Sequence, residues 1–220
     1  MFDLDPWVAA GLLALGAWHG LNPGMGWLLA VALGLQEERG RAVWRALPPL
    51  AAGHALAVAA AVAVAALAGR WIPLEPLRWI VAALLVLLGL QKILRSRHPS
   101  YGGMRVGLRQ IAVWSFLMAT AHGAGLMVVP LVLGDAAGSG SGHGPMHAVP
   151  SGAAAGGAAE LAGASATLLH TAGYLAVTGL AALIVYRWVG LRWLRTGWLN
   201  MDLVWGVALV LTGLLTPLLP

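Results

Sequence analysis

Four histidines lie inside stretches that otherwise read as oily: His19, His54, His122 and His170. Ionisable residues at membrane depth are costly and face a cavity, a pathway or a packed partner. Imidazole does two kinds of chemistry there. It ligates nickel, cobalt, copper and zinc, and it carries protons near neutral pH. Any one of the four could instead be a helix-packing hydrogen bond. Four arranged in two matching pairs favour function. Around the first lies "WHGLNPGMGW", residues 18–27, where Asn22, Pro23, Gly24 and Met25 follow the histidine. Proline and glycine interrupt a helix, and a broken helix at that depth is tolerated only where protein or water covers it. Met25 follows His19 and Met127 follows His122; thioether favours soft Cu(I), although methionine is also ordinary apolar filler. A second group, His143, Met146 and His147, sits in a Gly/Ser-rich tract. It is either an outer metal-capture loop or a loose linker with incidental histidines.

The elements that position these residues follow from composition. The chain has 220 residues, of which 60% are hydrophobic and 10% charged, and its mean hydropathy is +0.81. A soluble domain carries roughly a quarter charged residues, so the solvent here is lipid. The absence of cysteine removes disulfides, thiolate metal sites and iron–sulfur clusters. No nucleophile triad, phosphate-binding loop or paired-carboxylate site is present, and an enzyme is not expected. The acidic start "MFDLDPW" lacks the basic region of a cleaved signal, so the first hydrophobic run is expected to remain in the mature protein.

Hydropathy predicts six spans, near 7–35, 47–68, 76–94, 107–133, 161–186 and 199–218, where a bilayer requires about 20 residues; span one is too long to be simple, since about 29 helical residues run about 43 Å against a core of about 30 Å. Eleven basic residues fall on one side of an alternating chain: Arg39, Arg41, Arg45, Lys92, Arg95, Arg97, Arg105, Arg109, Arg187, Arg192 and Arg195. Only Arg70 and Arg78 fall on the other. The positive-inside rule then places both termini and the 134–160 loop outside the cytoplasm of a plasma (inner) membrane. The net charge of +5 is thus a topology signal, and no nucleic-acid partner is expected. Trp7, Trp44, Trp71, Trp188, Trp193 and Trp198 stand near span ends as interfacial anchors.

Two sets of three spans echo each other. "ATAHGAGLMVVPLVLG" in span four resembles "GAWHGLNPGMGWLLAVALG" in span one. His54 and His170 occupy spans two and five, and "WIVAALLVLLGL" in span three matches "WGVALVLTGLL" in span six. The expected architecture is an all-α membrane protein of six transmembrane helices. They form two inverted three-helix repeats, 1–105 and 106–220, with spans one and four broken and a flexible external Gly/Ala-rich loop over 134–160. His19 and His122, counted from opposite sides, both reach roughly 18–20 Å, near the midplane.

"HGLNPGMGW" resembles the His-x-x-x-Pro-Gly signature of the NicO-type nickel/cobalt efflux proteins, which look related to the lysine-exporter and CcdA-type six-span families. The resemblance implies a metal-handling role for His19, Pro23 and Gly24, with His122 inheriting it through the repeat. Met25 stands where that family has a second histidine, the His-x4-Asp-His signature of nickel permeases is absent, and the cysteine that CcdA-type proteins carry in each repeat is missing. The implied function is transport of a small cation, with a transition metal (Ni, Co, Cu or Zn) favoured. His19 and His122 would ligate it, His54 and His170 would add ligands or carry protons, and the broken helices would form gates. Partners are then the bilayer and the cargo, and a homo-oligomer or a periplasmic metal-binding protein is compatible with this. Three alternatives remain at this point: export of a small organic solute with a histidine proton relay, a b-type haem protein, less favoured than the first, and an accessory membrane subunit with no transport activity of its own.

Overall fold

The computed structural model describes residues 4–94, 106–138, 153–189 and 201–218, with side chains described for 4–94, 106–132, 161–188 and 203–218. All regular structure among them is helical. The helices are α1 (Pro6–Leu21), α2 (Trp27–Gln36), α3 (Gly40–Ala68), α4 (Leu74–Leu94), α5 (Leu108–Ala121), α6 (Ala124–Gly138), α7 (Ala153–Ile184) and α8 (Met201–Leu215). Short 3-10 turns cover Pro23–Met25 and Thr216–Leu218, and α7 runs on into a π turn over Val185–Val189.

Local chemistry sets the ends. Asp5 caps α1 by accepting from the Trp7 amide at 2.7 Å, with Pro6 in the first helical position, where a missing N–H costs nothing. Asn22 precedes a proline, which pushes it out of the helical region, and its backbone is extended at φ −70°, ψ 121°. That ends α1. The chain restarts as α2 after Gly26, whose φ of 137° is open to glycine and strained for any other residue.

Three described helices are long and apolar enough to cross a membrane: Gly40–Ala68, Leu74–Leu94 and Leu161–Trp188. The pair α5–α6, bent by 58°, makes a fourth if it is one span. By contrast α1 has 16 residues and α2 has 10, so at about 1.5 Å per residue neither alone matches a core of about 30 Å. Polarity is reversed from that of a soluble protein. Leu56, Leu84, Leu87, Leu168, Leu180 and Leu211 are exposed, whereas the four histidines, Asn22, Ser115 and several threonines are buried. A soluble monomer does not show this much apolar surface.

The structure corrects the expected start of the second span. The helix begins at Gly40, seven residues before position 47, and carries Pro48 and Pro49 inside it. The stretch from Gly40 to Ala46 falls between the expected spans one and two, but it is amphipathic. Ala42, Val43, Ala46 and Leu50 are buried while Arg41, Trp44 and Arg45 face outward, which is the 3.6-residue period of a helix with one apolar face. Helix also extends into both edges of the expected 134–160 loop, as far as Gly138 and again from Ala153.

α1 packs along α7, α3 along α5, and α4 along α8, with α3 and α7 also in contact. Glycine permits each close approach. A β-carbon on Gly16 would run into the His170 carbonyl, and one on Gly173 into the Leu13 carbonyl; Gly53 abuts the Ala112 carbonyl, and Gly89 and Gly206 face each other. Small residues at such crossings are what apolar helices use to pack in lipid.

Candidate functional site

His19 and His122 are positioned by the same local device. His19 lies in the last turn of α1, and its Nδ1 is 2.8 Å from the Leu15 carbonyl. His122 caps α5, and its Nδ1 is 2.8 Å from the Met118 carbonyl. A carbonyl only accepts, so Nδ1 donates in both rings and Nε2 keeps its lone pair. A hydrogen bond of this kind is how proteins fix the tautomer and aim of a ligating histidine.

Three rings converge from three helices. The centroid of His19 lies 5.9 Å from that of His54 on α3 and 5.0 Å from that of His170 on α7. His54 and His170 lie 5.3 Å apart with planes inclined by 12°. All three residues are fully buried. Five of their six ring nitrogens have no hydrogen-bond partner: His19 Nε2 and both nitrogens of His54 and His170. The Leu12 carbonyl neighbours His170 but lies outside good hydrogen-bonding geometry. In the neutral form each imidazole offers one N–H and one lone pair. The cluster therefore presents three lone pairs at most, and buried polar atoms without partners are expensive.

The spacing suits a shared ion. Two imidazoles binding one tetrahedral metal through nitrogens at about 2.1 Å have centroids about 5.3 Å apart. The orientations do not yet match. Among the described residues, no group of three or more His, Asp or Glu side chains is arranged to hold a metal ion. His54 is held elsewhere: it stacks on Tyr174 at 4.0 Å with planes 8° apart. Closing the set requires the His54 ring to turn off that stack.

The break between α1 and α2 is fastened, not loose. Asn22 Oδ1 accepts from the Gly24 amide at 2.9 Å. Three aromatic donors then take its carbonyls: Trp27 Nε1 reaches Leu21 at 3.1 Å, Trp114 Nε1 reaches Gly24 at 3.0 Å, and the Tyr174 hydroxyl reaches Met25 at 2.7 Å. Carbonyls freed by the missing helical bonds are thus satisfied by α2, α5 and α7, as a low-dielectric interior demands. The second break is plainer. His122 ends α5, and Gly123 turns the chain at φ 67°.

Of the residues that the sequence singles out, the structure brings His19, His54 and His170 together. Asn22, Pro23, Gly24 and Met25 form the adjoining break, with Asn22 and Met25 buried. His122 stands apart from the three-ring group. Its ring packs on Trp205 at 5.8 Å, and His19 packs on the same indole at 4.5 Å. Met127 is buried in α6 as part of the apolar core. His143, Met146 and His147 lie outside the described residues.

Two residues that sequence reasoning missed are central. Tyr174 joins His54 to the break, and Trp205, buried with its Nε1 unpartnered, lies against both His19 and His122. A signal for Tyr174 existed: it follows His170 by four residues and so shares its helical face. Nothing local marks Trp205 among 11 tryptophans. No family model, curated protein or solved structure matches the chain, and the functional reading therefore rests on the geometry of this site.

Proposed function

We propose that the chain is a six-span inner-membrane transporter of a small cation, with a transition metal favoured, built from two inverted three-helix repeats with both termini outside the cytoplasm. The observation that carries the reading is the buried cluster of His19, His54 and His170 with five unpartnered ring nitrogens. Packing alone does not account for it, because a packing histidine satisfies its nitrogens. In this reading His19 is the fixed ligand and His54 and His170 are mobile ones. His122, across Trp205, is a second station on the path, and the two breaks are the points at which the path opens.

The helix pairing supports the repeat. Exchanging spans one to three with four to six turns the α1–α7 pair into the α5–α3 pair and leaves the α4–α8 and α3–α7 pairs unchanged, and all four contacts are present. His19 and His122 also make the same hydrogen bond four residues back.

A second reading is favoured by the ring nitrogens that do not converge on one point: export of a small organic solute driven by a histidine proton relay. Metal dependence separates the two. Purified protein in proteoliposomes should bind metal and move it, and His54→Ala and His170→Ala should each lose both properties. Solute flux by a metal-free protein, with no metal bound under any loading condition, supports the relay instead. Orientation is tested in the cysteine-free chain by a single Ser141→Cys. It should react with an impermeant thiol reagent in intact cells; reaction only after permeabilisation reverses the topology.

A further inference from the structure

We infer that the end of the molecule where α2, α3, α5 and α7 meet binds the phosphate of anionic lipid headgroups. The inference concerns the membrane around the chain and stands apart from the identity of any cargo.

Three contacts gather these element ends. Between α2 and α3, Glu38 takes the left-handed region at φ 53°, a place that usually goes to glycine or asparagine. The Arg39 amide donates back to the Gly34 carbonyl at 3.1 Å, so α3 starts beside the end of α2. Gln36 then clasps the backbone of Val106. Its Nε2 donates to the Val106 carbonyl at 3.2 Å, and its Oε1 accepts from the Val106 amide at 2.9 Å. That fixes the start of α5 at the same place. Tyr186 does so for the end of α7, since a β-carbon on Gly34 or Gly40 would press on its ring.

The surface so formed is basic. Arg39, Arg41, Arg45, Arg109 and Arg187 are all exposed on it. Glu37 and Glu38 stand among them, and Glu37 is taken by Arg45 at 2.7 Å. Among the described residues, no hydrogen bond or ion pair engages the side chains of Arg39, Arg41, Arg109 or Arg187. In sequence, the connections from α4 to α5 and from α7 to α8 add Arg95, Arg97, Arg105, Arg192 and Arg195, against one acidic residue, Asp202, at the start of α8.

The helix starts here run against the usual charge rule. A helix N-terminus is positive and favours acidic neighbours. Away from this end, α1 starts behind Asp5 and α4 carries Glu75 in its first turn. At this end, α3 and α5 have no side-chain cap and no acidic residue in the first turn. Their second residues are Arg41 and Arg109. Free N–H groups and guanidinium groups therefore add to one another, and an anion from outside the chain offsets both.

The surroundings match that anion to a lipid. Arginine supplies all five charges, and its planar fork meets phosphate oxygens in pairs. Trp44 and Trp188 are exposed beside Arg45 and Arg187, and such rings settle at headgroup level. Exposed apolar side chains continue along α7 at Ile184 and Leu180 and along α3 at Leu56. The arginines thus stand where an acyl-chain surface gives way to headgroups, the place at which basic clusters recognise anionic lipid.

The test uses full-length protein in nanodiscs of equal parts phosphatidylglycerol and phosphatidylcholine, extracted into detergent, with the retained lipids counted. Phosphatidylglycerol should be retained at least ~10-fold over phosphatidylcholine, the scale expected of two or more arginines at a membrane surface. Arg41→Gln combined with Arg187→Gln should bring the ratio to within about twofold of even. Arg70→Gln combined with Arg78→Gln removes the same net charge elsewhere and should leave the ratio within about twofold of wild type. Each of Arg41→Gln and Arg187→Gln alone should lower it several-fold, which keeps the test decisive if the double variant does not fold. Equal losses in the two double variants overturn the site, because the attraction is then diffuse charge. An unchanged ratio in the Arg41 and Arg187 variants overturns it as well. Inorganic phosphate or glycerol phosphate displacing the lipid at equal concentration overturns the lipid assignment, since the headgroup alone would then suffice. Lipid retention is read without flux, so none of these outcomes bears on the transport reading.

Discussion

His19 and His122 end their helices in the same way and then part company. Each closes a hydrogen bond to the carbonyl four residues earlier, and each stands at a break. Yet His19 meets two further imidazoles, and His122 meets the indole of Trp205. Their surroundings differ in the same sense. The first break is held by Asn22 and by donors from Trp27, Trp114 and Tyr174; the second is a single left-handed glycine. Equal local geometry has thus been put to unequal use. A ligand's aim is set by its own helix, but a site is set by what the neighbouring helices bring to it.

The largest expected effects test that inequality directly. His19→Ala should lower cation flux in proteoliposomes by about 100-fold or more, since it removes the one ring of the three-ring cluster whose lone pair is already aimed. His122→Ala should cost roughly 10-fold, and the double mutant should be little worse than His19→Ala alone, as groups on one path are non-additive. Equal losses in the two single variants would make the sites equivalent and break the comparison.

The two glycines sharpen it on the stability side. Gly26→Ala forces a side chain into φ 137° and against Leu50, at about 2–5 kcal/mol. Gly123→Ala adopts the left-handed region at φ 67°, at about 1–2 kcal/mol. Thermal unfolding in detergent should rank them in that order. The reverse order would mean that the second break bears more of the structure than its few fastenings suggest.

Tyr174→Phe keeps the stack on His54 and deletes the bond to the Met25 carbonyl. It should cost about 1 kcal/mol in stability and reduce flux several-fold. A loss of flux with unchanged stability would show that the hydroxyl acts on the path and not on the fold. The smallest effect is expected at Arg45→Ala. Its pair with Glu37 is 2.7 Å long, but the arginine side chain is 53% exposed, so the loss should stay under about 1 kcal/mol, with flux unchanged. A marked fall in flux would make that exposed ion pair part of the gate.

The sequence alone determined the medium, the helical class and the positions of both breaks, because these depend on composition and on residues close in the chain. Pro23 lacks an amide wherever it is placed, and a run such as "WIVAALLVLLGL" buries itself in lipid whatever its neighbours are. It also singled out the four buried histidines, because an imidazole in an apolar run is conspicuous by itself. Other features depended on packing. The amphipathic start of α3 at Gly40 shows its buried face only once something covers Ala42 and Val43. The roles of Tyr174 and Trp205 depend on contacts with residues over a hundred positions away, such as Tyr174 with Met25 and Trp205 with His19, and no local pattern encodes those. The grouping of the histidines has the same origin. His54 and His170 come from two different helices, and which ring joins His19 is decided by how closely glycines let α1 approach α7 and α3 approach α5. Sequence periodicity aims a side chain to one face of its helix; only the packed tertiary structure decides which other side chains that face will meet.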